Sequence, residues 1–278
     1  MQVYLSAGLG NRLFQYAACK GMALRHGLEL EVFAIDVNFE HGHHGNYLWN
    51  LIRMVDDPKD CLMVPRMMIH SAAAAAGASV WDQPPTQHLG HFEPPLEDVR
   101  GKVLYGYFQS ELYFDHCRDE LMRQFAEPAF ITADIDRYLA RAGIDVRSTV
   151  LIHVRLGDKI GDPRHFVDFT DYYRRCREAV GPGVRCVCVG ESFADVRRFY
   201  PALADLEQVP RDASATMECF DLYLMARFKT VVCSNSTFSW WGAWLNPDPA
   251  KVVFLPSRHT NDPTNNSVGM RGATVVAV

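Results

Sequence analysis

The sequence predicts an α/β protein built from two Rossmann-like halves, each with a parallel sheet. Three observations predict it: apolar β-branched runs alternate with amphipathic helical patterns, the runs end in polar residues, and glycines follow several helical patterns. We expect residues 1–147 to form the N-terminal half and residues 148–278 to form the C-terminal half.

The N-terminal half begins with a predicted strand over residues 2–5, a loop over 6–11 and a helix over 12–26. Gly27 is expected to end this helix, because glycine readily adopts the left-handed conformation of a helix C-terminus. Further along, we predict strands over 28–34 and 102–108, helices over 71–78, 111–125 and 133–142, and an irregular, proline-rich segment over 81–97.

The C-terminal half alternates strands and helices more regularly. Its predicted strands are 149–154, 184–189, 206–209, 230–233 and 251–255, and its predicted helices are 171–179, 194–200, 215–227 and 237–245. In open α/β sheets, ligands bind at the carboxyl ends of the strands, near a topological switch point. We therefore expect Arg155, Thr237 and the loop over 6–11 to line a cleft between the halves.

Composition restricts the class of protein. With 48% apolar and 22% charged residues, the chain is typical of a globular protein, and its net charge of −5 without a long basic run argues against a nucleic-acid partner. No apolar run reaches 18 residues and no signal peptide is recognisable, which predicts a cytoplasmic protein, at most peripheral at the inner membrane.

Three clusters of side chains have an ordinary interpretation. Arg174, Arg175 and Arg177 fit a solvated helix face, with a weak contact to acidic lipid as the alternative. The loop histidines at 41, 43 and 44 fit a polar loop better than a metal site, and the eight scattered cysteines fit reduced packing residues. We expect Trp240, Trp241 and Trp244 to pack in the core, with sugar stacking as the second interpretation.

Two strand ends are suited to bind a phosphate. In the strand that reaches Val154, His153 and Arg155 point to the same face, and Arg155 supplies a planar charged fork at its end. A phosphate contact and an ion pair between Arg155 and Asp158 explain this arginine equally well. The second strand end runs into Ser234-Asn235-Ser236-Thr237, residue types that begin helices, and a helix N-terminus attracts anions. Together they suggest one phosphate-bearing ligand.

Two weaker signals accompany them. Gly8-x-Gly10 is a tight strand-to-helix turn that lacks the third glycine of a dinucleotide-binding loop, although Asn11 and Arg12 add hydrogen-bonding groups there. Asp221 lies among apolar residues of a predicted helix, where a surface charge is favoured over a ligand contact.

Four segments together resemble the α-1,2-fucosyltransferases of glycosyltransferase family 11, especially the short bacterial members. They begin at Gly8 (Gly-Leu-Gly-Asn-Arg-Leu-Phe-Gln-Tyr-Ala), Gly106 (Gly-Tyr-Phe-Gln-Ser-Glu), His153 (His-Val-Arg-Leu-Gly-Asp) and Asn235 (Asn-Ser-Thr-Phe-Ser-Trp-Trp-Gly). They follow the family order and span nearly the whole chain. The resemblance implies a GT-B fold with the donor site in the C-terminal half, and inverting transfer of L-fucose from GDP-fucose without metal or cofactor.

The resemblance also implies roles for residues of the C-terminal half. Arg155 would hold the β-phosphate, and Ser236, Thr237 and Phe238 would hold it from the start of the helix. Asp221 would bind the guanine edge.

Further roles follow from the same resemblance. His153 would lie near the nucleotide, while Gly10, Asn11 and Arg12 would contact the donor from the other half, with Asn11 near the pyrophosphate and fucose. Inverting transfer needs a base near the acceptor hydroxyl, and among Asp158, Asp162 and His165 we favour Asp158. The expected partners are GDP-fucose and an oligosaccharide or lipid-linked glycan acceptor containing galactose.

Three departures from the family pattern keep alternatives open. Leu156 stands where many relatives have a second arginine, Arg12 stands where they have glutamine, and Val189-Gly190-Glu191-Ser192 replaces an acidic Ser-Asp-Asp pattern. We hypothesise that Arg12 compensates for the missing arginine. The alternatives are an α-1,6-fucosyltransferase, a transferase of another GDP-sugar, and a nucleotide- or glycan-binding protein without turnover.

Overall fold

The computed structural model describes residues 1–34, 62–63, 69–83, 98–190, 193–209, 217–262 and 268–278. The chain divides into two compact units, Met1–Ala126 and Glu127–Val278. This division precedes the predicted boundary at residue 147, because the helix Ala129–Ala142 packs on the helix Met217–Arg227, with the rings of Tyr138 and Phe220 5.9 Å apart. The histidines at 41, 43 and 44 and the cysteine at 61 lie outside the described residues.

The first unit has a parallel five-stranded sheet. Its elements are β1 (Gln2–Leu5), α1 (Leu9–His26), β2 (Glu31–Ala34), β3 (Leu62–Met63), α2 (Ile69–Ala75), β4 (Ser79–Asp82), β5 (Lys102–Tyr105) and α3 (Arg118–Gln124). The strand order is β3-β2-β1-β5-β4, with every pairing parallel. Because the chain leaves β1 toward β2 and β3 and returns on its other side, the switch point lies between β1 and β5.

The second unit repeats this design with six parallel strands. Its elements are α4 (Ala129–Ala142), β6 (Val150–Val154), α5 (Thr170–Val180), β7 (Cys186–Gly190), α6 (Phe193–Phe199), β8 (Glu207–Gln208), α7 (Met217–Arg227), β9 (Thr230–Val232), α8 (Thr237–Trp244), β10 (Val252–Pro256) and β11 (Thr274–Val276). The order β11-β10-β9-β6-β7-β8 puts the switch point between β6 and β9. The predicted parallel α/β fold is confirmed.

Burial explains why the C-terminal half was the more regular in sequence. All five residues of β6 are buried, as expected for a central parallel strand covered by helices on both faces. The three clustered tryptophans of α8 are also buried, with at most 2% of Trp240, Trp241 and Trp244 exposed. Their prediction as core residues is confirmed, and stacking on a sugar is excluded because the rings are covered.

Helix α1 begins three residues earlier than predicted. Gly8 has extended backbone, and its carbonyl accepts hydrogen bonds from the amides of Asn11 and Arg12, so Leu9 opens the helix. Gly27, at φ 62°, ends α1 as predicted. Half of the predicted 6–11 loop is therefore the first turn of a helix, and Gly10 lies within it.

The predicted helix over 111–125 is wrong in its first half. Two 3₁₀ turns, Glu111–Tyr113 and Asp115–Cys117, precede α3. The adjacent rings of Tyr113 and Phe114 are both buried, and they pack on different partners, Phe108 at 5.7 Å and Phe14 at 6.0 Å between ring centroids. Because the chain must direct neighbouring rings to separate partners, it turns instead of continuing as an α-helix.

Three short strands were missed by the sequence analysis. β3, β4 and β11 have only two to four residues. β4 includes Trp81 and Asp82, which were predicted as irregular because of the prolines that begin at Pro84.

Two further observations concern membrane-spanning helices and the state of the thiols. Among the described residues, no helix combines the length and apolarity needed to span a bilayer. The seven cysteines of the described ranges are all free thiols.

Candidate functional site

The carboxyl ends of β6 and β9 meet at the switch point of the second unit. We call the residues 153–159 and 233–238 at this place the β6–β9 edge. The two strands are parallel, with Ile152 of β6 opposite Val232 of β9. The loops that follow the two strands therefore begin at the same edge of the sheet. There, His153 Nδ1 and Ser234 Oγ lie 2.9 Å apart in a hydrogen bond between buried side chains. This bond joins two segments that the sequence analysis singled out separately.

His153 is held on several sides. Only 4% of it is exposed, its ring lies 5.9 Å from that of Phe238, and its carbonyl accepts a hydrogen bond from Tyr173 Oη at 3.0 Å. Gly190, at the end of β7, packs against the same place: a Cβ there would lie 2.2 Å from the Val154 carbonyl oxygen and 3.4 Å from His153 Nε2. Glycine is therefore required at 190 by the close approach and by its φ of 115°.

Helix α8 presents its N-terminus at this edge. Ser236 is the N-cap in an extended conformation, and its side chain makes no capping hydrogen bond. Its carbonyl accepts from the Trp240 amide at 3.1 Å, which starts the helical ladder. Thr237 and Phe238 form the first turn of this helix, and the backbone amides of a helix N-terminus are an arrangement that binds anions.

Arg155 and Leu156 take opposite directions after β6. Arg155 is exposed, while Leu156 is 1% exposed and packs in the core with Val154 and Phe169. The side chain at position 156 therefore serves packing, and Arg155 is the side chain of this pair that reaches solvent.

Sequence reasoning missed a polar cluster beside Arg155. Lys159 Nζ donates to the Asn235 carbonyl at 2.6 Å, and Asn235 Nδ2 donates to the His259 carbonyl at 2.6 Å. His259 follows β10, the strand next to β9, so the rule that ligands bind at strand ends would have pointed to it. Burial and the nearby Lys159 charge lower the pKa of His259 to about 3, which keeps its ring neutral.

Asp221 occupies the second turn of α7. It is 8% exposed, so the expectation of a surface charge is wrong: the apolar helix and its neighbours cover the carboxylate. Burial, the charge of Glu207 and that of Asp221 raise the pKa of the Tyr138 hydroxyl to about 12. The Asp221 charge thus acts on a residue of helix α4, and the guanine-binding role of Asp221 stays a prediction.

The candidate bases differ in their surroundings. Asp162 Oδ2 lies 2.6 Å from His165 Nδ1, and this hydrogen bond together with the Arg164 amide lowers the pKa of Asp162 to about 2. So low a proton affinity makes Asp162 a weak base near neutral pH. Asp158 lies in the 3₁₀ turn Gly157–Lys159, and its side chain is outside the described part of the structure.

The first unit has a corresponding β1–β5 edge, formed by residues 6–12 and 106–109. The buried Gln15 accepts from the Ser6 amide at 2.8 Å and donates to Ser6 Oγ at 3.2 Å. Arg12, 1% exposed, donates from Nε to the Ala7 carbonyl at 2.8 Å. Ala7 has φ 62°, a left-handed conformation that is uncommon for residues other than glycine.

The second segment of the β1–β5 edge is held in the same way. Gln83 Oε1 accepts from the amides of Tyr107 and Phe108, each at 2.9 Å, and Phe108 has φ 49°. Gln109 Nε2 donates to Asn11 Oδ1 at 2.8 Å. The structure therefore brings Asn11 to the Gly106 motif, while Arg12 contacts the backbone of its own loop.

The basic cluster on α5 is bound to neighbouring groups. Arg174 pairs with Asp171 and Glu178, Arg177 pairs with Asp205, and Arg175 donates to the Ala277 carbonyl. These contacts fit the favoured interpretation of a solvated helix face, and contact with acidic lipid stays a prediction.

Two parallel α/β units, each with a central switch point, define the GT-B type of fold. Solved structures share it: the NodZ α-1,6-fucosyltransferase soaked with GDP-fucose is 17% identical, with a TM-score of 0.53 over 88% of this chain and 92% of that one. A second structure, NodZ from Bradyrhizobium, gives 16% identity and a TM-score of 0.54 over the same shares. At this level of sequence identity, these similarities show a shared fold.

Curated relatives are glycosyltransferases of Escherichia coli. The O-antigen biosynthesis glycosyltransferase WbnK is 28% identical over 183 residues, 59% of this chain and 57% of WbnK, so the chain matches little more than half of that relative's length. An alpha-1,2-colitosyltransferase is 20% identical over 271 residues, covering 91% of this chain and 90% of the relative. No family model matches the chain.

Proposed function

We propose that the chain is an inverting, metal-independent glycosyltransferase that moves L-fucose from GDP-fucose to the 2-hydroxyl of a galactose-containing glycan. Similarity to two glycosyltransferases supports the reaction class, and the name of the colitosyltransferase supports a 1,2 linkage. The shared fold with a fucosyltransferase that was soaked with GDP-fucose supports the donor.

One observation carries the proposal: a cation and a helix N-terminus lie at the same strand-end edge. Arg155 is exposed directly after β6, and the first turn of α8 begins five residues after β9, joined to β6 by the His153–Ser234 bond. A diphosphate bound there meets a planar charged donor and fixed backbone amides together.

The charge distribution fits this reaction. Breaking the bond between the sugar and the diphosphate builds negative charge on GDP as it leaves. Fixed donors aimed at that charge stabilise the transition state without reorganisation, and removing one such donor lowers the rate by about 10²–10³. In this account Arg155, Thr237 and Phe238 supply those donors, and Ser236 contacts the same phosphate.

Other predicted residues receive roles within the same proposal. Asp221 binds the guanine edge, and His153, locked by Ser234, supports the nucleotide. The donor contacts expected of Asn11 and Gly10 stay predictions. Arg12 acts as a positioning residue, since its guanidinium already holds the Ala7 carbonyl.

We propose Asp158 as the base that accepts the proton of the acceptor hydroxyl. The low pKa of Asp162 argues against that carboxylate, and its hydrogen bond to His165 leaves His165 as the second candidate. Asp158→Asn is expected to remove turnover while GDP-fucose still binds, and His165→Asn is the matched test of the alternative.

A second candidate donor is favoured by the relative that covers most of the chain. The name of the colitosyltransferase gives colitose as the sugar that it transfers, so a transferase of a GDP-sugar other than GDP-fucose fits that similarity. An α-1,6 linkage is the other variant, which linkage analysis of the product distinguishes.

Calorimetric titration with GDP-fucose, GDP-mannose and UDP-galactose, in the presence of a chelator, tests the proposal. We expect GDP-fucose to bind selectively and, with a galactoside acceptor, to yield a 1,2-linked product. Binding of UDP-galactose alone would overturn the proposed donor, and donor binding without product would favour a binding protein without turnover.

A further inference from the structure

Lys159 is the feature of the β6–β9 edge to which no role has been given. It ends the 3₁₀ turn Gly157–Lys159 after β6, and its partly buried ammonium reaches across to the loop after β9, where it bonds the Asn235 carbonyl at 2.6 Å. Asn235 immediately precedes Ser236, the N-cap of α8. The ammonium is therefore bonded to the residue that directly precedes the N-cap of the helix.

Two positive features are thus placed at one end of α8. The N-terminus of a helix carries roughly half a positive charge, and an ammonium beside it raises the local potential further. The ammonium and the helix N-terminus repel each other, and a bound anion reduces this repulsion. Arg155, exposed four residues before Lys159, adds a third positive feature to the same edge.

Buried polar atoms near Lys159 mark the same place. Asn235 is 2% exposed and its Oδ1 has no hydrogen-bond partner among the described residues, and the same holds for both ring nitrogens of His259, which is 8% exposed. Unsatisfied buried polar atoms are rare and expensive, so their concentration here points to a site completed by a bound group.

We propose that Lys159 is a donor-binding residue that, with Arg155, holds the diphosphate of the nucleotide at the N-terminus of α8. This inference rests on the proposed function for the identity of the donor, but it concerns only the diphosphate. The hydrogen bond to Asn235 orients the ammonium before the ligand arrives. Position 156 supplies no cation, because it is a leucine buried in the core. In this proposal Lys159 supplies the second side-chain cation.

The chain offers a matched control at the other end of the same helix. Lys251 Nζ donates to the carbonyls of Ala243, Trp244 and Asn246, at 2.9, 3.1 and 2.9 Å. Lys159 and Lys251 are both partly buried lysines that bond backbone carbonyls, yet they lie at opposite ends of α8. Replacing either one removes a lysine–carbonyl bond, but only Lys159 lies at the proposed phosphate site.

The experiment is calorimetry of GDP, guanosine and inorganic pyrophosphate with wild type, Lys159→Met, Lys159→Arg and Lys251→Met. We expect Lys159→Met to lower the affinity for GDP and for pyrophosphate about 10- to 100-fold, which corresponds to the loss of one charge-assisted hydrogen bond. The affinity for guanosine should stay unchanged. Lys159→Arg restores most of the affinity, and Lys251→Met lowers stability without changing GDP affinity.

The outcomes separate this inference from the proposed function. Equal losses of GDP and guanosine affinity in Lys159→Met, or GDP affinity unchanged from wild type, would overturn the role of Lys159 while leaving GDP-fucose as the donor. If wild type binds pyrophosphate through Lys159 but selects UDP-galactose over GDP-fucose, the proposed donor fails and the role of Lys159 stands.

Discussion

The two switch-point edges of this chain share one backbone design and differ in what their side chains do. At the β1–β5 edge, Gln15 bonds Ser6 and Arg12 bonds the Ala7 carbonyl, so the polar groups hold the shape of their own loops. At the β6–β9 edge, Arg155 and Lys159 bring cations to the start of α8.

Strand ends with similar backbone can therefore serve different purposes. The first edge uses hydrogen bonds to keep Ala7 in a left-handed conformation, which shapes the backbone. The second edge collects positive charge, which attracts a phosphate. Substitutions of Gln15, which holds the loop of the first edge, should therefore act mainly on stability, and substitutions of Arg155 and Lys159 at the second edge mainly on donor binding and turnover.

Substitution of Arg155 should reduce activity more than any other change considered below. Arg155→Ala should lower turnover about 10²- to 10³-fold, because a fixed donor for the leaving phosphate is lost. The turnover of Arg155→Lys should lie between those of wild type and Arg155→Ala, since lysine keeps the charge but lacks the planar guanidinium. Fucosyl transfer and circular dichroism measure activity and fold, with the exposed Arg174→Ala as control. Full activity of a folded Arg155→Ala would remove this edge from catalysis.

Gly190 tests how tightly β7 packs on His153. Gly190→Ala should lower the free energy of unfolding by about 2–4 kcal/mol, because its Cβ would overlap the Val154 carbonyl and its φ is positive. Gly183→Ala is the control: φ is 79° but no atom lies within 4 Å of the new Cβ, so only about 1 kcal/mol is expected. Urea denaturation measures the free energy of unfolding of both variants. Equal losses in Gly190→Ala and Gly183→Ala would contradict the close approach at Gly190.

Gln15 tests the first edge. Gln15→Leu leaves the amide and hydroxyl of the buried Ser6 without this partner, which should lower stability by about 1–3 kcal/mol. Gln2→Leu, which removes an exposed bond to Glu31, should change stability by less than ~0.5 kcal/mol. GDP affinity of the folded Gln15→Leu variant should stay near that of wild type. A large loss of GDP affinity without a loss of stability would mean that this edge binds phosphate directly.

His259 gives an effect on stability that is confined to acidic pH. Its pKa is about 3 in the folded chain and near 6.5 when unfolded, so the unfolded chain takes up a proton as pH falls below that value. Stability is therefore fully present above pH 6.5 and is lost on acidification, by about 1 kcal/mol per pH unit. Urea unfolding at several pH values should show this slope reduced in His259→Phe. An unchanged slope would show that other groups cause it.

The sequence predicted the fold and part of the site for a physical reason. Buried parallel strands such as β6 are continuous apolar runs, and their ends are marked by polar residues, which located His153, Arg155 and Thr237. Lys159 and His259 were missed because their significance comes from contacts across loops, which no local pattern records.

Other errors have the same origin. The burial of Asp221 depends on neighbours distant in sequence, whereas the residue pattern alone had favoured a surface position for this carboxylate. The 3₁₀ turns before α3 arise from the separate partners of Tyr113 and Phe114, a tertiary effect that outweighs helix propensity.

A crystal structure of the chain with bound GDP would show whether the β6–β9 edge binds the diphosphate. We predict that the diphosphate lies within hydrogen-bond distance of the Arg155 guanidinium and of the Thr237 and Phe238 amides. Lys159 should contact the same oxygens while keeping its bond to Asn235. GDP seated on the β1–β5 edge, with no phosphate contact to Arg155 or to the start of α8, would contradict the account.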